Sequence, residues 1–266
     1  MPAEAPTPNE YKDKPWERVQ WETLTPTEQK AIVGSYLGGL LGPGVAVPAL
    51  GKATWKLGQV PKLTELQEKR LRKAMHAKSI EKRVDDVLGP RGNAFATVVR
   101  KRLPSGKIKA VPTVVSGEPL GAGILAHEFG HLTGPWRKIF HKMRYALPAT
   151  SIAALIGAPY VGGKLANPDE SVGRSALKGG LAGAGIGLAG GAPLWLEEGR
   201  ASLRALKGLR KAKLPTKTLL RSLLGLGSAM GTYTAPGLLL GAGTGIIGSL
   251  LRRARERAKR KQEEWL

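Results

Sequence analysis

The sequence predicts a mainly α-helical protein that carries one small β-hairpin and several glycine-rich helices suited to a membrane. Three observations predict it. Four stretches hold no charged residue, Ala31–Gly51, Tyr145–Gly163, Gly179–Leu196 and Ser222–Leu251, and a spanning helix needs ~20 predominantly apolar residues. Within them glycine recurs at four-residue steps: Gly34, Gly38 and Gly42; Gly179, Gly183, Gly187 and Gly191; Gly237, Gly241 and Gly245. Such a step lines one helix face with small residues, which lets helix backbones approach closely in a bilayer. Finally, 42 Lys and Arg against 20 Asp and Glu give a net charge of +22, much of it flanking the uncharged stretches.

Taken in order, residues 1–30 read as an N-terminal arm without the basic start and apolar core of a secretory signal. A helix begins at its end, with Thr25 as N-cap and Pro26 in the first helical position. Residues 31–51 form the first candidate span. Pro61–Leu88 reads as an amphipathic helix, with Leu63, Leu66, Ile80, Val84 and Val87 on its apolar face. Gly89-Pro90-Arg91-Gly92 ends it. Phe95–Arg100 and Lys107–Ser116 follow as a hairpin around Pro104-Ser105-Gly106. Pro112 assigns the second strand to a sheet edge, because proline donates no ladder hydrogen bond.

The next residues carry chemistry. His127-Glu128-Phe129-Gly130-His131 is an H-E-x-x-H motif inside an apolar run. Residues four apart share a helix face, so His127 and His131 can bind one Zn²⁺, and Glu128 beside them suits the general base acting on water. Cysteine is absent, which excludes a zinc ribbon, a disulfide framework and a thiol nucleophile. A catalytic zinc site needs a third protein ligand. The metzincin pattern H-E-x-x-H-x-x-G-x-x-H is followed as far as Gly134 but ends on Arg137, which cannot ligate. His141 fits no known ligand spacing. Glu197 and Glu198, in Trp195-Leu196-Glu197-Glu198-Gly199-Arg200-Ala201-Ser202, are the better source of a glutamate ligand.

Over about residues 95–210 the chain resembles the membrane-embedded, gluzincin-like neutral zinc metallopeptidases of the HtpX and YugP types. In those, H-E-x-x-H is followed by two hydrophobic spans and then a helix bearing the glutamate ligand. The E-x-x-A-S signature of the YugP type, with a further small residue, is matched in register by Glu198, Ala201, Ser202 and Ala205. The E-x-x-x-D pattern of the HtpX type is not met, since Ser202 stands in the aspartate position. The chain then divides into a zincin-like region over 52–144, a transmembrane hairpin over 145–196 and a third-ligand helix over 197–221. The resemblance implies Zn²⁺ as cofactor, Glu198 as third ligand with Glu197 as the alternative, and a protein or peptide substrate. Residues 222–266 complete the chain as a membrane segment, kinked or turned back at Pro236, and a basic tail. A stabiliser for a tetrahedral oxyanion is sought among Tyr160, Tyr145, His141 and Arg200.

Lys and Arg mark the cytoplasmic ends of spans. Arg137–Arg144, Arg200–Arg221 and Arg252–Lys261 are basic, whereas Lys164–Lys178 is sparser and includes Asp169 and Glu170. A hairpin over 145–196 that returns to its starting face puts His127, His131 and Glu198 together on the cytoplasmic side. The competing reading is a membrane-active structural protein, such as a phage virion component, with an active or degenerate zincin motif. A nucleic-acid-binding protein would explain the charge but not H-E-x-x-H, and with aromatics at 5% no stacking or helix-turn-helix motif supports it.

Overall fold

The uncharged stretches all fold as helix. The structure, a computed structural model, describes residues 21–58, 62–85, 94–135 and 137–264, without the side chains of 55, 58, 137, 140, 141 and 262. After a 3₁₀ turn at Trp21–Thr23, the chain forms α1 (Pro26–Gly58), α2 (Glu65–Ala74), β1 (Glu81–Val84), β2 (Phe95–Arg102), β3 (Ile108–Ser116), α3 (Ala122–Leu132), α4 (Arg137–Met143), α5 (Leu147–Lys164), α6 (Val172–Lys211) and α7 (Thr216–Glu263). Four of these helices, α1, α5, α6 and α7, contain stretches long and apolar enough to cross a membrane. Their residues divide between two compact units, one of 1–43, 150–190 and 236–266, the other of 44–149 and 191–235.

In the first unit α1 starts at its expected cap. The Thr25 hydroxyl accepts from the Glu28 backbone N–H, and the Glu28 carboxylate accepts from the Thr25 N–H. This capping box satisfies two of the donors that a helix start leaves unpaired. Glu28 is fully buried and pairs with Arg253 at 2.6 Å and Arg257 at 2.5 Å. Part of the basic tail is therefore spent inside the unit. Arg253 also donates to the Glu170 carbonyl, and Arg260 pairs with Asp169.

Glycine sets the helix contacts here. A Cβ added to Gly183 would lie 2.0 Å from the Gly241 carbonyl oxygen, and one on Gly187 would lie 1.9 Å from that of Gly237. Gly245 stands in the same way against Gly179, at 2.1 Å. The pairing runs antiparallel and uses both four-residue steps foreseen in α6 and α7. Gly191 does not take part; it lies in the other unit beside Trp195. In α1 the contact face differs from the expected one. Gly34 and Gly38 face open space, while Ser35 and Gly39 meet Gly243. Large apolar side chains stay outside, including Leu40, Leu41, Ile152, Ile156 and Leu181.

The second unit carries the sheet, in order β1-β3-β2. β2 and β3 form the expected antiparallel hairpin, from Phe95↔Val115 to Arg102↔Ile108. Its turn closes through Gly106, whose φ of +79° suits glycine. β1 pairs parallel to β3 from Glu81↔Thr113 onward. So β3 is the central strand, contrary to the edge position read from Pro112. That proline is tolerated because β1 joins only after it, leaving β3 with one neighbour at that point.

The helix expected over 61–88 is also shorter. It has a capping box at Thr64 and Gln67 and ends at Ala74. His76 turns the chain with φ 55°, and Arg72 bonds the carbonyls of Ala77 and Ile80. This turn buries Leu71, Met75, Ala77 and Ile80 with Leu125, Phe129, Ala205 and Leu209 in one core. A continuous helix could not place all four there. The break foreseen at 89–92 lies outside the described residues. The third-ligand segment is the second half of α6 rather than a separate helix, and α7 passes Pro236 without turning back.

Gly241→Val should destabilise the protein by about 1–3 kcal/mol or more, since the new side chain meets backbone that cannot yield. Gly34→Ala, which faces open space, should cost nothing. Thermal unfolding of both variants in detergent checks the contrast.

Candidate metal centre

The site is built on α3, which is apolar and almost wholly buried from Ala122 to Gly130. Its position depends on small residues. A Cβ on Gly130 would lie 2.4 Å from the Ala201 carbonyl oxygen of α6, and one on Gly123 would lie 3.3 Å from the Cα of Ser222 in α7. Arg200 ties the end of α3 to α6 by donating to the carbonyls of Thr133 and His131.

This contact brings residues far apart in sequence to one point. His127 Nε2 lies 3.1 Å from Glu198 Oε2, His131 Nε2 lies 3.2 Å from that same oxygen, and the two Nε2 atoms are 3.2 Å apart. A tetrahedral zinc ion with ligand bonds of ~2.0 Å separates its ligand atoms by ~3.3 Å. The triangle thus has the dimensions of one face of a zinc tetrahedron, and its donors are the nitrogen and oxygen ligands that zinc takes in hydrolytic sites. His127, His131 and Glu198 could hold a metal ion together.

The surrounding hydrogen bonds orient those donors inward. His127 Nδ1 lies 3.2 Å from Ser202 Oγ, and His131 Nδ1 lies 3.2 Å from Glu197 Oε1. With the ring proton on each Nδ1, both Nε2 lone pairs point into the triangle. Arg144 bridges the two glutamates, reaching Glu197 Oε2 at 2.7 Å and Glu198 Oε1 at 2.8 Å. That leaves Glu198 Oε2 for the triangle. Tyr233 donates its hydroxyl to Glu198 as well.

Glu128 is buried among these groups and accepts from the Ala96 backbone N–H. Burial outweighs the pull of His127 and His131 and pushes its carboxyl above the usual range. For His131, burial opposes the charged ring, but the hydrogen bonds it donates to Glu197 and Glu198 outweigh it and raise the pKa to about 9. A cavity of about 590 Å³ opens onto the group, lined in part by Ala94–Val98, Glu128, Arg144 and Tyr233.

The structure therefore brings together His127, Glu128, His131 and Glu198, and sets Glu197 behind His131. Arg200 holds backbone at the end of α3. Tyr160 lies in the first unit and is 65% exposed. Tyr145 is exposed and does not line the cavity. The His141 side chain lies outside the described residues. Sequence reading missed Arg144, which looked like one cation in a basic run, and Tyr233, which sits in an uncharged stretch with no motif around it. Comparison with family models, curated proteins and solved structures finds no match for this chain.

Below about pH 9 metal uptake must expel a proton from His131, so zinc affinity should rise with pH, by about tenfold per unit between about pH 6 and pH 8. Titration calorimetry in buffers of differing ionisation enthalpy reads the released proton. Glu197→Ala should weaken zinc binding about 10–100-fold without abolishing it.

Proposed function

We propose that the protein is a membrane-associated zinc metallopeptidase, with zinc held by His127, His131 and Glu198. The observation that carries this reading is the ligand triangle, inward-facing and backed by Ser202 and Glu197, with an H-E-x-x-H glutamate beside it. Zinc bound there would polarise a water molecule and the carbonyl of a peptide bond. Glu128 takes the proton of the attacking water and returns it to the leaving amine; its raised proton affinity suits both transfers. Tyr233 shifts its hydroxyl hydrogen bond from Glu198 to the carbonyl oxygen as negative charge develops there. Tyr233 lines the cavity, whereas Tyr160 lies in the other unit. The cavity runs along β2, whose outer edge has no strand partner among the described residues. An extended peptide laid against that edge gains backbone hydrogen bonds.

The helices support membrane association. Only 6% of the apolar window in α1 is buried in the protein, and apolar faces of this extent are otherwise covered by a partner or lipid. The cytoplasmic side is read from the basic segments 137–144 and 200–221, which flank the two ends of the hairpin over 145–196; the segment 252–261, at the far end of the continuous α7, no longer counts toward it.

Purified protein should hold one zinc per chain, lost in His127→Ala and kept in Glu128→Gln. Glu128→Gln should lower peptide hydrolysis about 10²–10⁴-fold. Tyr233→Phe should lower kcat about 100-fold with KM little changed. Absence of zinc would reject the enzyme and favour a membrane-active structural protein with a degenerate site. Single cysteines at positions 137 and 207 of this cysteine-free chain should label from the cytoplasmic side; labelling from opposite sides would reject the orientation.

A further inference from the structure

A second cavity, of about 410 Å³, lies within the first unit, between α5 and α7. Its lining divides into two parts. Pro159, Gly163, Gly248 and Leu251 make an apolar floor, and Lys164, Arg252 and Arg255 supply cations, with Tyr160 beside them. The division follows from sequence. Lys164 is the first charge after the uncharged stretch Tyr145–Gly163, and Arg252 is the first after Ser222–Leu251. Packing brings the two boundaries to one level: a Cβ on Gly163 would lie 3.6 Å from the Cβ of Arg252. Beside the cavity the two helices touch, since a Cβ on Gly248 would lie 2.0 Å from the Pro159 carbonyl oxygen.

We propose that this cavity binds an anionic phospholipid, with the phosphodiester among Lys164, Arg252 and Arg255 and an acyl chain along the apolar floor. The inference rests on α5 and α7 crossing a bilayer, and not on the peptidase reading. A soluble anion would explain the cations but not the apolar floor that continues from them. Lys164 has its ammonium 5.5 Å from the Tyr160 ring centroid, and such aromatic and basic residues gather at headgroup level. Glu256 pairs with Arg252 at 2.5 Å and offsets one charge, so the cluster stays cationic. Basic pockets between membrane helices recognise phosphate headgroups through these charges.

The test uses the full chain in nanodiscs of equimolar phosphatidylcholine and phosphatidylglycerol, with retained lipid quantified after detergent extraction. Phosphatidylglycerol should be enriched about tenfold, and Lys164→Gln or Arg252→Gln should each reduce the enrichment about fivefold. Both positions are exposed, so folding should survive, and Lys164→Arg should keep the preference. Equal retention of the two lipids, or enrichment unchanged in Lys164→Gln/Arg255→Gln, would overturn the proposal. Inorganic phosphate that displaces the lipid and binds delipidated protein as tightly would also overturn it, in favour of a soluble anion. A chain that does not stay in the nanodisc rejects the membrane reading and this site together; one that inserts without lipid preference rejects the site alone.

Discussion

The close approach of α3 to α6, backbone against backbone at Gly130 and Ala201, is the contact on which the metal centre depends. Any side chain at Gly130 would meet the Ala201 carbonyl and push the helices apart. The histidines would then separate from Glu198 by more than ligand distances allow. The same contact gives neighbouring residues of α6 distinct tasks. Glu198 supplies the carboxylate, Ala201 permits the approach, Ser202 orients His127, and Ala205 continues the interface into the core. One short segment of α6 thus does four jobs because these four residues share its buried face.

Burying Glu128, Glu197 and Glu198 together is costly, since each carboxylate loses water. The two histidines and Arg144 offset that cost. Arg144 spans both Glu197 and Glu198 and holds their free oxygens apart from the ligand triangle. The arrangement is strongest when every donor faces inward at once, which is the condition for tight metal binding.

In the first unit glycine has a different task. Between α6 and α7 it allows carbonyl-to-backbone contacts along an antiparallel pair, while the bulky apolar residues lie on the outside. That distribution suits lipid, where packing rather than water exclusion drives helix association. The charge then reads by position rather than by sum. Arg253 and Arg257 neutralise the buried Glu28, whereas Lys164, Arg252 and Arg255 gather at the ends of the apolar stretches.

The sequence by itself determined the local features, because their physics is local. Uncharged runs demand helix in an apolar setting, Thr25 and Glu28 cap the helix that follows them, and residues 127 and 131 share a face through the period of one turn. Glu198 was legible only through resemblance, since nothing local points it at histidines about seventy residues earlier in the chain. The end of α2, the strand β1 and the central place of β3 were decided by tertiary structure. They depend on which side chains share a core, and the exposed, polar β1 carries no pattern of its own. Arg144 and Tyr233 belong to the same class. Their part in the site comes from contacts with Glu197 and Glu198, which exist only once α6, α7 and the turn after α4 are packed together.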